Sequence, residues 1–93
     1  MYSFLCKDVL QRCVDKWGFQ MQLNIVVEEL SELIKEICKA RRGNENQFEI
    51  IDEIADVTIM LEQAKLIFEI TEDELQDRMK FKVSRIEERL NRP

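Results

Sequence analysis

The scarcity of glycine and proline is the feature that most constrains how this chain folds. Its 93 residues include two glycines, Gly18 and Gly43, and one proline, Pro93, at the end of the sequence. Turns between strands draw heavily on these residue types, so the chain is not built from many short strands. The two glycines instead separate segments whose apolar residues recur at helical spacing. The pattern predicts a single all-α domain over residues 1–93.

Four helices are predicted. The first begins after Ser3, a candidate N-cap, and ends at Trp17; the others span about 20–42, 47–68 and 72–91. Gly18 and Gly43 follow the first and second helices, where glycine commonly ends a helix. Thr71 and Glu74 fit a capping box at the start of the fourth. Amphipathic helices joined by short turns predict a compact four-helix bundle.

The third helix carries more apolar surface than one core uses. The apolar arc of the second helix is formed by Leu23, Val26, Leu30, Leu33, Ile34 and Ile37. The third helix has two arcs, one containing Ile50, Ile54, Val57 and Leu61, the other Phe48, Ile51, Ala55 and Ile59. A helix that is apolar on two faces is buried on two sides, so we expect a subunit interface and a homodimer or homotetramer.

Charge and composition exclude several classes of function. The net charge of -5 argues against a nucleic-acid binder, which usually carries a basic face. No apolar run approaches the ~20 residues of a membrane span, and no signal peptide is visible, so we expect a cytoplasmic protein without a membrane partner.

The chain has no histidine, which excludes a Cys/His zinc site and a histidine base. A metal site would use carboxylates, which favour Mg²⁺ or Mn²⁺.

Two carboxylate pairs are the candidate site. Glu29 and Glu32 lie one turn apart on the second helix, as do Glu53 and Asp56 on the third. Helices joined by a short turn pack antiparallel, which brings the pairs to similar heights. Carboxylates ~6 Å apart repel by roughly 3 kcal/mol per pair at an effective dielectric near 20. Spacing alone leaves two interpretations open: a solvated surface, or a cluster that binds a cation or protons.

The flanking residues resemble a known family. Glu28-Glu29-x-x-Glu32 followed by Glu53-x-x-Asp56 is similar to the paired motif of the MazG-like, all-α nucleoside triphosphate pyrophosphohydrolases. Trp17-Gly18, Gln22-Leu23 and the run from Glu53 to Gln63 resemble the same family. The match covers Trp17 to Phe68 well and the last helix more loosely. The acidic motif of the second helix is weak alone, but both halves at the right spacing form a strong signal.

The resemblance implies an activity and a set of ligands. It implies hydrolysis of a nucleoside triphosphate between the α- and β-phosphates, giving a nucleoside monophosphate and pyrophosphate. By motif position, Glu29, Glu32, Glu53 and Asp56 would hold Mg²⁺, and Glu28 would be an accessory catalytic carboxylate. The cation would neutralise the triphosphate and activate a water.

Candidate substrate contacts come from three places. Lys35 and Lys39 extend the acidic row of the second helix, and family members place basic residues there and in the fourth helix to contact phosphates. In the fourth helix we expect Lys82 and Arg85 to do so, unless this stripe only covers the edge of the core. Trp17 and Gln22 would stack on and hydrogen-bond a base; Trp17 is otherwise a core anchor.

Two other functions stay open from the sequence. Phosphoribosyl-ATP pyrophosphohydrolases have a similar size and related acidic motifs, although the Trp17-Gly18 and Gln22-Leu23 segments argue against that activity. A non-catalytic helical protein that retains the fold for oligomerisation is the alternative from a different class. The presence of all four proposed ligands disfavours it.

Overall fold

The computed structural model describes residues 4–93, and these form four α-helices without a strand. The helices are α1 (Lys7–Trp17), α2 (Phe19–Arg41), α3 (Gln47–Ile67) and α4 (Glu72–Leu90). The predicted all-α class and helix order are confirmed. The first helix begins later than predicted, at Lys7, and the proposed cap at Ser3 lies outside the described residues. Within residues 4–93, no helix combines the length and apolarity needed to cross a bilayer.

Short-range sequence signals set the helix ends. Gly18 adopts a φ of 85° that side chains disfavour, and its N–H closes α1 by donating to Val14 O at 2.8 Å. Gly43, at φ 97°, ends α2 in a Schellman motif, with Asn44 N–H donating to Lys39 O. At the start of α4, Thr71 Oγ1 accepts a hydrogen bond from Glu74 N–H at 3.1 Å, as the capping box predicts.

Helices α2 and α3 pack antiparallel along a seam in which polar and apolar residues alternate. Near one end, Gln63 Nε2 of α3 donates to Gln22 Oε1 of α2 at 3.1 Å. At the other end, Asn46 Nδ2, just before α3, donates to Glu36 Oε1 at 3.2 Å and to the Glu36 carbonyl oxygen at 2.9 Å. These side chains are buried although they are polar. The hydrogen bonds satisfy the amide nitrogens of Asn46 and Gln63, whereas Asn46 Oδ1 and Gln63 Oε1 have no partner within residues 4–93.

The first helix is attached to this pair through Gln63. Its Nε2 also donates to Leu10 O of α1 at 3.2 Å, so one fully buried amide joins three helices. The apolar residues buried with it are few: in residues 4–93 they are Leu5, Leu10, Val26 and Val57. With so small an apolar core, the polar contacts carry an unusual share of the packing.

The prediction of a compact bundle is wrong for the fourth helix. Within residues 4–93, α4 does not pack against α1, α2 or α3, and every α4 residue except the half-buried Leu75 is exposed. Its first turn is held by Lys65 of α3, whose Nζ forms ion pairs with Glu62 and Glu72. The radius of gyration is 16.2 Å, against about 12 Å for a compact chain of this length. The capping box starts a helix but does not dock it.

The predicted apolar arc of α2 is also only partly buried. Val26 is buried and Leu33 half-buried, but Leu30, Ile34 and Ile37 are exposed. The face that α2 turns toward α3 instead contains Gln22, Glu29 and Glu36, spaced seven residues apart, with Val26 and Leu33 between them. Seven residues are two helical turns, so all five lie in one row.

We expect Gln63→Leu to destabilise the fold, because it removes the donor from two buried acceptors, Gln22 Oε1 and Leu10 O. A cost of about 1–3 kcal/mol in the free energy of unfolding is typical of such a loss. Urea denaturation followed by circular dichroism measures it. Gln20→Leu, at an exposed position of α2, is the matched control and should change stability by less than about 0.5 kcal/mol. Equal effects of the two substitutions would contradict a structural role for the Gln63 amide.

Candidate functional site

The middle of the α2/α3 seam brings three acidic side chains together. One carboxylate oxygen from each of Glu29, Glu53 and Asp56 lies within 4.8 Å of the others. Glu29 comes from the row that α2 turns toward α3, and Glu53 and Asp56 lie one turn apart on α3. All three residues are half-buried. We call these three residues the acid cluster; it contains three of the four ligands expected from the sequence.

Glu53 has a buried carboxylate oxygen, Oε2, with no hydrogen-bond donor among residues 4–93. A buried carboxylate oxygen without a donor is costly unless a cation or a proton reaches it. The donor set of the acid cluster consists of oxygen atoms alone, which matches the preference of hard divalent cations.

The surroundings of Glu29 bring the titration of its carboxyl group close to neutral pH. Burial raises the pKa of Glu29 to about 7, with further contributions from hydrogen bonding to Asp56 and from repulsion by Asp56 and Glu53. At separations near 4.8 Å, each pair of charges repels by roughly 3 kcal/mol at an effective dielectric of about 20. Near neutral pH the cluster therefore exchanges a proton readily, and a cation can take the place of that proton.

Polar contacts lie above and below the acid cluster along the seam. Gln22 and Glu36 are seven residues before and after Glu29 on α2, and each is bonded to the α3 side as described above. Hydrogen bonding from Asn46, partly opposed by burial, lowers the pKa of Glu36, so this acid is ionised at neutral pH. Lys39 Nζ pairs with Glu36 Oε2 at 3.3 Å. The buried acid Glu36 thus has partners that the acid cluster lacks.

Glu32 and Glu28 lie outside the acid cluster. The Glu32 carboxylate is exposed and pairs with Lys35 Nζ at 3.9 Å, so Glu32 must leave Lys35 to become a fourth ligand. Glu28 is exposed, and its carbonyl oxygen accepts a hydrogen bond from Ser31 Oγ at 2.7 Å. Both residues are next to Glu29 or one turn from it on α2.

The proposed base contacts differ in accessibility. Trp17 is exposed at the end of α1, with Lys16 Nζ 5.3 Å from the centre of its ring, so it is not a core anchor. Gln22 is only 2% exposed and accepts from Gln63, so contact with a base would require that hydrogen bond to open. The sequence indicated Gln22 and missed Gln63; the heptad spacing of Gln22, Glu29 and Glu36 was the signal for this row.

The proposed phosphate contacts on α4 are distant from the packed helices. Lys82 and Arg85 are exposed on a helix that does not pack against α2 or α3. Arg85 lies with Arg78 around the ring of Phe81, at 5.9 and 5.0 Å from the ring centre. Lys35 and Lys39, on α2, are the cations closest in sequence to the acidic motif, and both are already paired with glutamates.

A cavity of about 560 Å³ opens at the other end of α3, between α1 and the start of α4. Lys7, Lys65 and Thr71 are among the residues that line it, and the acid cluster is not. Its cation Lys65 is neutralised by Glu62 and Glu72. The cavity and the acid cluster are therefore separate features of the molecule.

Comparisons of the chain with protein-family models, with curated proteins and with solved structures found no match.

We expect the stability of the metal-free protein to fall as the pH rises from 5 to 8. Because the folded-state pKa of Glu29 is raised from 4.5 to about 7, its stabilising contribution is complete below about pH 4.5 and is lost as the pH passes about 7. Thermal midpoints across this range measure the effect. Glu29→Gln should flatten the dependence, whereas Glu28→Gln, which changes an exposed neighbour, should preserve it. An identical pH dependence in Glu29→Gln and the native chain would contradict the shifted titration.

Proposed function

We propose that this chain is a Mg²⁺-dependent nucleoside triphosphate pyrophosphohydrolase. The observation that carries the proposal is the convergence of Glu29, Glu53 and Asp56 at the centre of the α2/α3 seam. These are motif positions of the family that the sequence resembles, and they come from two different helices. Acids that are only solvated surface groups would not be expected to cluster between two helices, because their charges repel one another most strongly there.

The donor atoms of the acid cluster suit the proposed cation. Three carboxylate oxygens within 4.8 Å of one another, one acid holding a proton near neutral pH, and an unsatisfied buried oxygen on Glu53 are features that a divalent cation would resolve together. Mg²⁺ and Mn²⁺ fit an all-oxygen set better than softer ions. Mg²⁺ also keeps several waters, so three or four protein ligands are sufficient.

Each acid has a proposed role. Glu29, Glu53 and Asp56 would hold the cation, and Glu32 would join them on leaving Lys35. When bound, Mg²⁺ neutralises the triphosphate and lowers the pKa of a coordinated water. Glu28, exposed beside Glu29, orients water or a second ion. Hydrolysis between the α- and β-phosphates, rather than elsewhere, rests on the family resemblance.

The substrate contacts follow from accessibility. The exposed ring of Trp17 is available to stack on a base, and Lys35 would become available to phosphates if Glu32 turned toward the cation. Lys39 would contact a phosphate from its place beside Glu36, which Asn46 holds at the seam. Lys82 and Arg85 would contact the phosphates of a bound substrate if α4 came close to an acid cluster. An enzyme of this kind would act on the cytoplasmic nucleotide pool.

We expect Asp56→Asn to reduce pyrophosphate release by roughly 100-fold or more, the scale of removing one charge-stabilising group from an active site. The assay is pyrophosphate release with Mg²⁺ across canonical and damaged NTPs and dNTPs, with phosphoribosyl-ATP included. Asp52→Asn, which removes an exposed carboxylate from the same helix, is the matched control and should retain activity. Glu32→Gln should also lose activity if Glu32 becomes a ligand.

A second readout separates metal binding from catalysis. Mg²⁺ should raise the thermal midpoint of the native chain and of Asp52→Asn, but not of Asp56→Asn, because a ligand stabilises the state that binds it. Activity retained in Asp56→Asn would overturn the ligand assignment. Turnover of phosphoribosyl-ATP alone would identify the related histidine-pathway activity. The absence of both Mg²⁺ stabilisation and pyrophosphate release would establish a non-catalytic helical protein.

A further inference from the structure

The cavity between α1 and the start of α4 is lined by three separate parts of the chain. Its volume of about 560 Å³ lies within the range of ~300–1,000 Å³ that is typical of small-molecule sites. Leu10 of α1, Leu66 in the last turns of α3, and Ile70 and Asp73 at the passage into α4 all contribute to the lining. We call it the hinge cavity, because the chain passes from α3 into α4 along its wall.

Apolar side chains form one part of the lining of the hinge cavity. They are Leu5, Leu10, Leu66 and Ile70. The first two are buried and belong to the small apolar core, Leu66 is half-buried, and Ile70 is 40% exposed. A ligand with an aliphatic segment would cover the exposed part of this wall and gain apolar burial there.

The charged side chains of the hinge cavity carry a net charge of -2. The lining contains two ammonium groups and four carboxylates, those of Lys7 and Lys65 and of Glu62, Glu69, Glu72 and Asp73. The start of α4 adds a partial charge of about +0.5, which leaves the sign unchanged. The cavity therefore disfavours anions and favours cations.

Two of the four carboxylates already have a cationic partner. Glu62 and Glu72 both form ion pairs with Lys65 Nζ, and hydrogen bonding to Lys65, partly opposed by burial, lowers the pKa of Glu72. The side chains of Glu69 and Asp73 are exposed and form no ion pair within residues 4–93. Two carboxylates of the hinge cavity are thus without a partner, one before α4 and one in its first turn.

Glu69 occupies a position that its backbone conformation would assign to glycine. Its φ is 56°, and the next residue, Ile70, donates its N–H to Lys65 O at 2.9 Å, which closes α3. Glycine adopts this left-handed conformation without strain, whereas a residue with a side chain does not. Glu69 therefore brings a carboxylate to the hinge cavity at a cost to the backbone.

The unpaired acids and the apolar wall together restrict the class of ligand. Within residues 4–93, no three acids of the hinge cavity bring oxygens within 4.8 Å of one another, as those of the acid cluster do, so a bare metal ion is not favoured. An uncharged apolar molecule would cover Glu69 and Asp73 without giving them a partner, which is costly. A ligand with two cationic ends and a methylene chain between them meets both requirements.

We propose that the hinge cavity binds an aliphatic diamine. Its two ammonium groups pair with Glu69 and Asp73, and its methylene chain lies against Leu66 and Ile70. The diamine links the end of α3 to the first turn of α4. Because α4 packs against no other helix within residues 4–93, a ligand at this place fixes the angle between α3 and α4.

Isothermal titration calorimetry with putrescine as the probe tests the proposal. We expect saturable binding with a dissociation constant of about 1 mM or tighter, and butylamine, with one ammonium group, should bind at least about 10-fold more weakly. Glu69→Gln and Asp73→Asn should each weaken putrescine binding by about 10-fold, the scale of losing one charged hydrogen bond. Asp77→Asn, which removes an exposed acid of α4 outside the cavity, is the matched control and should bind as the native chain does.

Mg²⁺ separates the hinge cavity from the acid cluster. At constant ionic strength, putrescine binding should persist at saturating Mg²⁺ and in Asp56→Asn, because neither changes the hinge cavity. Loss of binding under either condition would place the diamine at the acid cluster and overturn the proposal. The absence of saturable binding to the native chain, or equal weakening by Asp77→Asn, would overturn it as well.

NMR spectra of the native chain keep the test decisive if the variants unfold. Putrescine should shift the methyl signals of Leu66 and Ile70 and leave those of Val83 and Leu90, far along α4, unchanged. Shifts confined to α4 would contradict binding in the hinge cavity. None of these measurements depends on nucleotide hydrolysis.

Discussion

Helices α2 and α3 meet along a row in which polar and apolar residues alternate. The position of the acid cluster depends on that contact. Gln22 and Glu36 are fixed to the α3 side by hydrogen bonds, and Glu29 lies midway between them against Glu53 and Asp56. Buried hydrogen bonds contribute about 1 kcal/mol each, less than the roughly 3 kcal/mol by which each pair of ionised acids repels. The polar contacts determine where the three acids come together. A bound proton or cation is needed to offset the repulsion between their charges.

The parts of the fold that local chemistry controls were predictable. Gly18, Gly43 and Thr71 act within a few residues of themselves, and the helix ends that they predict are close to those observed. Glu69, the non-glycine residue with positive φ at the end of α3, carried no such signal. The position of α4 was not predictable either, because a capped amphipathic helix has the same sequence pattern whether or not another helix covers it.

The candidate site was predictable where it depends on local sequence spacing, and not where it depends on packing. The i, i+3 spacing placed Glu53 and Asp56 together, and the short connection at Gly43 brought them level with Glu29. Which acids of α2 face the seam was not fixed by spacing, since Glu29 and Glu32 share a face of the helix. That choice depends on packing: Glu29 belongs to the buried row, and Glu32 is outside it beside Lys35. Burial of Gln22 was likewise missed, because glutamine in a sequence usually indicates a surface position.

The ion pair from Lys65 to Glu72 has a mechanical consequence for the far end of α4. Within residues 4–93, this 19-residue helix is attached at its first turn and packs on no other helix, so it would move as a rigid rod if that attachment rotated. A rotation of about 20° in the short turn after α3 would carry the tip of a helix ~28 Å long through about 10 Å. The side chains of Lys82 and Arg85 would move with it over much of that arc. The distance that these two cations could reach would therefore depend on the ion pair of Lys65 at the start of α4, which involves no acid of the cluster.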